Sequence, residues 1–345
     1  RCRAPIASLD CMDEFSANSQ QMLDQGNMPS SVTPGLRYKN LGKSGLRVPN
    51  IGLGLWTMLN EDCAEDIIMT ALENGVNLFD LSEAHSRGEV ELGRILKKRN
   101  VRRTSVIITT KIYWSTKSDE RGLSRKHIVE SIKASLQRLQ VDYIDVVLLH
   151  KTDPVCPMEE LVRAMTFVIN QGWVMYWGTA RWSPSEIMDA YTNCRQFNCI
   201  TPIVEQTEYH MFCREKPELY MPELYHKIGV GEYIKEQVAG EEPRTYGDKL
   251  RDLSNLANTM NCSMSQLAVA WCLKNESVNC LLLGATSVEQ FKENIHALQI
   301  VPQLTPSVMM EIERLLSNKP QRPPMVSTLA MRNQQNSNTV RVDMT

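Results

Sequence analysis

The stretch SRKHIVESIKASLQRLQVDYIDVVLLHKTDPVCPMEELVRAMTFVINQGWVMYWGTA (124–180) decides the fold. Its first part, 124–140, repeats apolar residues at helical spacing, and Ser124 stands where an N-cap belongs. YIDVVLLH (143–150) is then a continuous apolar run, short enough to be a strand covered on both faces. MEELVRAMTFVINQG (158–172) returns to helical spacing and stops at Gly172, and WVMYWGTA (173–180) reads as the next strand. Helix, strand, helix, strand with short connections predicts parallel strands joined by right-handed crossovers.

The same beat continues in both directions. Upstream lie the runs NIGLGL (50–55), VNLFD (76–80) and TSVIITTKI (104–112), with helical patterns at 64–75 and 90–98 between them. Downstream, SPSEIMDAYTNC (183–194) opens with Ser then Pro, a helix start. ITPIVEQTEY (200–209) and VNCLLLGA (278–285) read as strands, and 214–229, 247–261, 263–275, 287–299 and 305–318 as helices. Seven clear strands and a stub at KIGVG (227–231) come close to eightfold alternation, which predicts a (β/α)8 barrel. No G-x-G-x-x-G follows the first strand, which counts against an open dinucleotide-binding sheet. The expected organisation is a disordered arm (1–35), rich in Ser, Gln, Asn and Asp, a barrel (36–318) and a disordered tail (319–345). The chain begins with Arg, so the N-terminus is read as lacking whatever precedes it.

Composition narrows the function classes. A net charge of −2 over 345 residues gives no field for nucleic acid, and no apolar run is long enough to span a membrane. The ten cysteines form no C-x-x-C pair and are read as free thiols of a reducing compartment. The six histidines are scattered without ligand spacing, so no metal site is expected.

In a barrel the chemistry sits where strands end. Asp80 closes the second strand, Lys111 the third and His150 the fourth; Arg181 follows the fifth, Gln206 and Glu208 close the sixth, and Gly284 the last. A carboxylate beside an ammonium sets the charge and proton affinity of both, and an imidazole at the next strand end is placed to bond a carbonyl oxygen. Taken singly, each has an ordinary reading as a surface ion pair or an edge histidine.

The segments RYKNLGKSGLRVPNIGLG (37–54), NLFD (77–80), ITTKIYW (108–114), RGLSRKHI (121–128), SLQRLQVDYIDVV (135–147) and LLGATSVEQFKEN (282–294) resemble the aldo-keto reductases. SMSQLAVAWCLKN (263–275) carries the same resemblance, and VINQGWVMYWGTARWS (168–183) and EQTEYHMF (205–212) are most similar to the β subunits of voltage-gated potassium channels within that family. The resemblance implies a (β/α)8 barrel binding NADPH across its mouth. Of the family's catalytic tetrad it matches Asp80, Lys111 and His150; at the position of the tyrosine, the family's proton donor, stands His85. Carbonyl turnover is therefore expected to be weak or absent. For the cofactor, the resemblance places Trp56, Asp80, Ala180, Arg181 and Gln206 at the nicotinamide end. It places Gly284, Thr286, Gln290, Glu293 and Asn294 at the adenosine and 2′-phosphate end.

One departure is large. In the family the seventh strand runs on into a W-S-P-L segment and a long loop that clasps the pyrophosphate, whereas here GVG (229–231) is followed at once by EYIKEQVAGEEPRTYGDKL (232–250). The expectation is a truncated seventh strand, a missing clasp and weakened NADPH binding. Three functions follow. The first is a cytoplasmic auxiliary subunit, a homotetramer held at the plasma membrane through the α subunit of a voltage-gated potassium channel. The second is a stand-alone NADPH-dependent aldehyde or ketone reductase, which His150 favours. The third is an inactive splice variant.

Overall fold

The computed structural model describes residues 33–57, 61–113, 122–235 and 247–322. A short hairpin comes first, β1 (Tyr38–Asn40) and β2 (Arg47–Pro49), paired antiparallel. Eight parallel strands follow: β3 (Ile51–Gly54), β4 (Leu78–Asp80), β5 (Ile107–Ile112), β6 (Ile144–His150), β7 (Val174–Ala180), β8 (Val204–Glu208), β9 (Gly231–Lys235) and β10 (Cys280–Gly284). They close in chain order, with β10 returning to β3. The outer helices are α1 (Glu61–Glu73), α2 (Ser86–Lys98), α3 (Arg125–Leu139), α4 (Met158–Asn170), α5 (Pro184–Gln196), α6 (Met221–Ile228), α7 (Gly247–Thr259), α8 (Met264–Lys274), α9 (Val288–His296) and α10 (Pro306–Leu316).

Alternation along the strands builds two cores. One lies between strands and helices, among them Ile108, Val147, Trp177, Ile234 and Leu283. The other fills the barrel with Leu78, Val146, Leu148, Val204, Tyr233 and Leu282, and the hairpin's Leu41 and Val48 plug its floor. Ser124, Ser183 and Ser263 cap α3, α5 and α8 as side-chain acceptors, the last two in full capping boxes, so these helix starts were readable.

The expected truncation of the seventh strand is corrected. Of the stub read at 227–231, Lys227 and Ile228 end α6, which Gly229 closes at φ 77°, and only Gly231 belongs to the strand, GEYIK (231–235). β9 pairs with β8 over five positions, from Val204↔Gly231 to Glu208↔Lys235, and with β10 over three. Close backbone contact starts it: a Cβ on Gly231 would lie 2.4 Å from the nitrogen of Gly42 and 2.5 Å from Asn279 Oδ1. The Gly231 amide donates to Ile203 O (2.8 Å) and that of Glu232 to Asn279 Oδ1 (2.8 Å). The segment expected to lack a clasp, from 236 to 246, lies outside the described residues.

Both ends of the described chain touch the barrel. Thr33 Oγ1 donates to both the carbonyl and the side-chain oxygen of Asn74 (3.0 Å each), so 33–35 belong with the barrel. Arg322 reaches Leu219 O at 3.3 Å, so 319–322 do too. The rest of the predicted arm and tail, 1–32 and 323–345, lies outside the described residues. No helix among the described residues is long and apolar enough to cross a membrane.

Candidate active site

The mouth of the barrel holds a cavity of about 310 Å³. Trp56, His85, Lys111, His150, Arg181, Gln206, Glu208 and Lys235 line it. At its base Asp80, fully buried, ends β4 and accepts from Lys111 Nζ (2.6 Å) and Gln206 Nε2 (3.2 Å) through Oδ2. Lys111 Nζ also donates to Leu81 O at 2.8 Å, and it lies 5.9 Å from the Trp56 ring centre. Burial lowers the Lys111 pKa, against the pull of Asp80. Asp80 Oδ1 has no hydrogen-bond partner among the described residues.

His150 ends β6, its backbone paired with Ala180, and its ring meets Tyr113 edge-on at 6.5 Å. Burial, then the positive charges of Arg181 and Lys111, push its pKa down to about 4. The ring is therefore neutral at pH 7 and offers an N–H donor rather than an acidic proton.

His85 closes a 3-10 turn, Glu83–His85, that Ser82 caps by accepting the Ala84 amide at 3.3 Å. Glu83 anchors that turn to the neighbouring loop, accepting from the Tyr113 amide at 2.9 Å and lying 3.4 Å from His127 Nε2. His85 stands at the exposed rim, and partial burial together with Lys235 and Lys111 lowers its pKa. Arg181 takes a left-handed conformation (φ 61°) just past β7, donates its amide to Gln206 O at 2.9 Å, and brings its guanidinium to 3.9 Å from Glu208.

Of the sequence-predicted residues, Asp80, His85, Lys111, His150, Trp56, Arg181 and Gln206 thus meet at one mouth. Ala180 is buried in the barrel layer and does not line the cavity. Gly284, Thr286, Gln290, Glu293 and Asn294 cluster instead at the β10–α9 junction, outside the cavity. There Gln290 Oε1 accepts from Thr286 (2.8 Å from N, 3.0 Å from Oγ1), Asn294 Nδ2 reaches Gly284 O (3.5 Å), and Glu293 accepts from Ser263 Oγ (2.7 Å).

Sequence reasoning missed Lys235. Its ammonium lies 4.2 Å from the Trp56 ring centre, at the end of the strand that the motif comparison treated as missing. The signal was the period of two in EYIK: Tyr233 and Lys235 share the inward face, one filling the barrel and the other its mouth. The expectation of no ligand cluster also needs a qualification. Glu208, His210 and Cys213 bring potential ligand atoms within 4.8 Å of one another. His210 Nδ1 accepts the Phe212 amide (3.2 Å), which leaves the proton on Nε2, 3.2 Å from Glu208 Oε1. The group is satisfied as a hydrogen-bond network. A larger cavity, about 800 Å³, lies at the hairpin end beside Arg37, Lys39, Tyr225 and Glu232, far from these groups.

A closed eight-stranded parallel barrel with its charged groups gathered at the strand ends defines a (β/α)8 barrel with a candidate active site at its mouth. The model of the aldo/keto reductase family matches residues 50–317, and the chain belongs to that family. Members typically use NAD(P)H. The nicotinamide end fits such a group: Trp56 packs against Gly54, where a Cβ would be 1.8 Å from the ring, and Gln206, Arg181 and Lys235 supply donors around the opening.

Proposed function

We propose that this chain is an NADPH-binding reductase-type barrel with slow carbonyl turnover, acting as the cytoplasmic auxiliary subunit of a voltage-gated potassium channel. The observation that supports the first part is the buried Asp80–Lys111–Gln206 network at the base of a cavity that His85 and His150 also face. When bound, reduced nicotinamide supplies the hydride. Lys111 and the neutral His150 ring are placed to hold a carbonyl oxygen, and Asp80 keeps the Lys111 ammonium oriented. By resemblance His85 stands where the family's proton donor does, and its lowered pKa makes the neutral ring, a poor acid, the main form at pH 7. A site that binds the cofactor and turns over slowly suits redox sensing better than metabolism.

Tryptophan fluorescence during NADPH titration tests this part. Quenching at micromolar NADPH, abolished in Trp56→Phe, is the expected outcome. Unchanged fluorescence from a folded protein overturns it. The channel part is supported by the likeness of 168–183 and 205–212 to channel β subunits. It predicts a homotetramer that co-purifies with the channel α subunit's cytoplasmic domain and reaches the plasma membrane through it. A monomer that binds NADPH and ignores the channel would favour the stand-alone reductase, for which the neutral His150 at the mouth is the supporting feature. An unfolded chain would favour the inactive variant.

A further inference from the structure

Lys235 supplies a donor at the opening but takes no part in the hydride and proton steps above, and it is the group at the mouth contributed by the unusual seventh strand. Its stem continues the inward face of β9 above Tyr233, and its nitrogen sits 4.2 Å from the Trp56 ring centre. The two mouth lysines differ in what holds them. Lys111 is tied by Asp80 at 2.6 Å and by Leu81 O at 2.8 Å. Lys235 makes no salt bridge to a carboxylate among the described residues, although Asp80 and Glu208 lie near enough to act on it through space. The groups that face it are the cations Lys111 and Arg181, the carboxylate of its ladder partner Glu208, and the rings of His85 and His150. Burial, then Lys111, lowers its pKa. A desolvated amine beside a second cation is the arrangement that turns lysine into a nucleophile.

We propose that Lys235 is a carbonyl-capturing amine, forming a reversible imine with small aldehydes that enter the mouth cavity. The lone pair of the neutral amine attacks the carbonyl carbon. A proton passes from nitrogen to the former carbonyl oxygen, giving a carbinolamine. The carbon–oxygen bond then breaks, the oxygen leaves with two protons as water, and the C=N bond forms. Nothing is oxidised or reduced. His85 and His150, neutral and in the same cavity, accept and return the proton without net change. The imine would place the substrate carbon over Trp56 and cover the mouth, so the chain would bind aldehydes without needing the family's tyrosine.

This inference rests on the reading that the mouth admits carbonyl compounds, but its test needs no cofactor. The purified full chain is incubated at pH 7 with propanal and cyanoborohydride, which traps imines as stable secondary amines, and labelling is followed by peptide mass spectrometry. Lys235 is expected to be alkylated about tenfold faster, or more, than the ion-paired surface lysines Lys98 and Lys227, because only the free amine attacks. Lys111 is expected to stay unlabelled. Lys235 labelled no faster than Lys98 and Lys227, or Lys111 labelled in its place, overturns the proposal. The comparison is internal to the native chain, so it holds even if Lys235→Met fails to fold. NADPH quenching without Lys235 labelling sinks this inference alone; labelling without quenching sinks the cofactor reading alone.

Discussion

A phenol and an imidazole at one position hold a proton on different terms. Burial and two nearby lysines make His85 give up its proton more readily than a free histidine, so the imidazolium forms at lower pH than it does in a free side chain. Any NADPH-dependent carbonyl reduction should therefore be slow at pH 7 and rise as pH falls through that region, and a stopped assay across pH 5 to 8 checks the sign. His85→Tyr puts a phenol beside Lys111 and should raise kcat at pH 7 by about 10²-fold, the lower range of general acid catalysis. An unchanged rate would mean that the turn Glu83–His85 does not deliver its last side chain to the substrate oxygen. At the base of the site, Asp80→Ala strands the Lys111 ammonium. Chemical denaturation should show a loss of about 3 kcal/mol, the low end for halving a buried ion pair, because Lys111 escapes part of the penalty by deprotonating.

At the scale of the element, β9 is where sequence and structure diverge. It carries Glu232, fully buried with no partner for either carboxylate oxygen among the described residues, directly opposite Glu205 in the β8 ladder. Glu205 is satisfied by Thr179, the Trp182 amide and Lys216. Burial, with Glu205 adding to it and Lys216 opposing, pushes the Glu232 pKa up to about 8. The sign follows: the folded state keeps a proton that the unfolded state releases above about 4.5, so stability falls as pH rises from 4.5 to 8. The steepest slope is about 1.4 kcal/mol per pH unit. Glu232→Gln should flatten that profile in denaturant melts at pH 5, 6.5 and 8; a wild-type profile already flat would place a partner on Glu232. This strand also shows what the sequence left hidden. Strands β3 to β7 and β10 were legible from their apolar runs, β8 from the apolar residues that lead into VEQTE, and three strand-end site residues, Asp80, Lys111 and His150, followed from counting to their ends. GEYIK was not legible, because a glutamate and a lysine in a five-residue run look like a solvated loop. The adenosine-side residues were legible as a cluster, but their distance from the mouth depends on how the β10–α9 junction sits, which no local pattern encodes.

The whole molecule depends on that seam. A barrel protects its strands only by closing, and β9 is the one piece between β8 and β10. Without it both neighbours present bare edges, and Tyr233, fully buried inside the barrel, leaves its interior layer. Two backbone contacts hold the seam at its lower end, where Gly231 sits against the Gly42 backbone and Asn279 bridges β9 to the hairpin through Asn40 O (2.9 Å). An alanine at 231 must push the hairpin turn at Gly42 away from β9, because its Cβ would meet backbone atoms rather than a flexible side chain. In the wild type the seam and the rest should melt together. Tryptophan fluorescence reports six tryptophans, among them Trp177 in β7 and Trp271 in α8, while far-UV circular dichroism is dominated by the helices. Coincident urea transitions are the expected result for one closed unit. Gly231→Ala should pull them apart, with fluorescence changing first as the barrel opens. Separate transitions in the wild type would mean that GEYIK does not seal the barrel, and the mouth built on Lys235 would lose its frame.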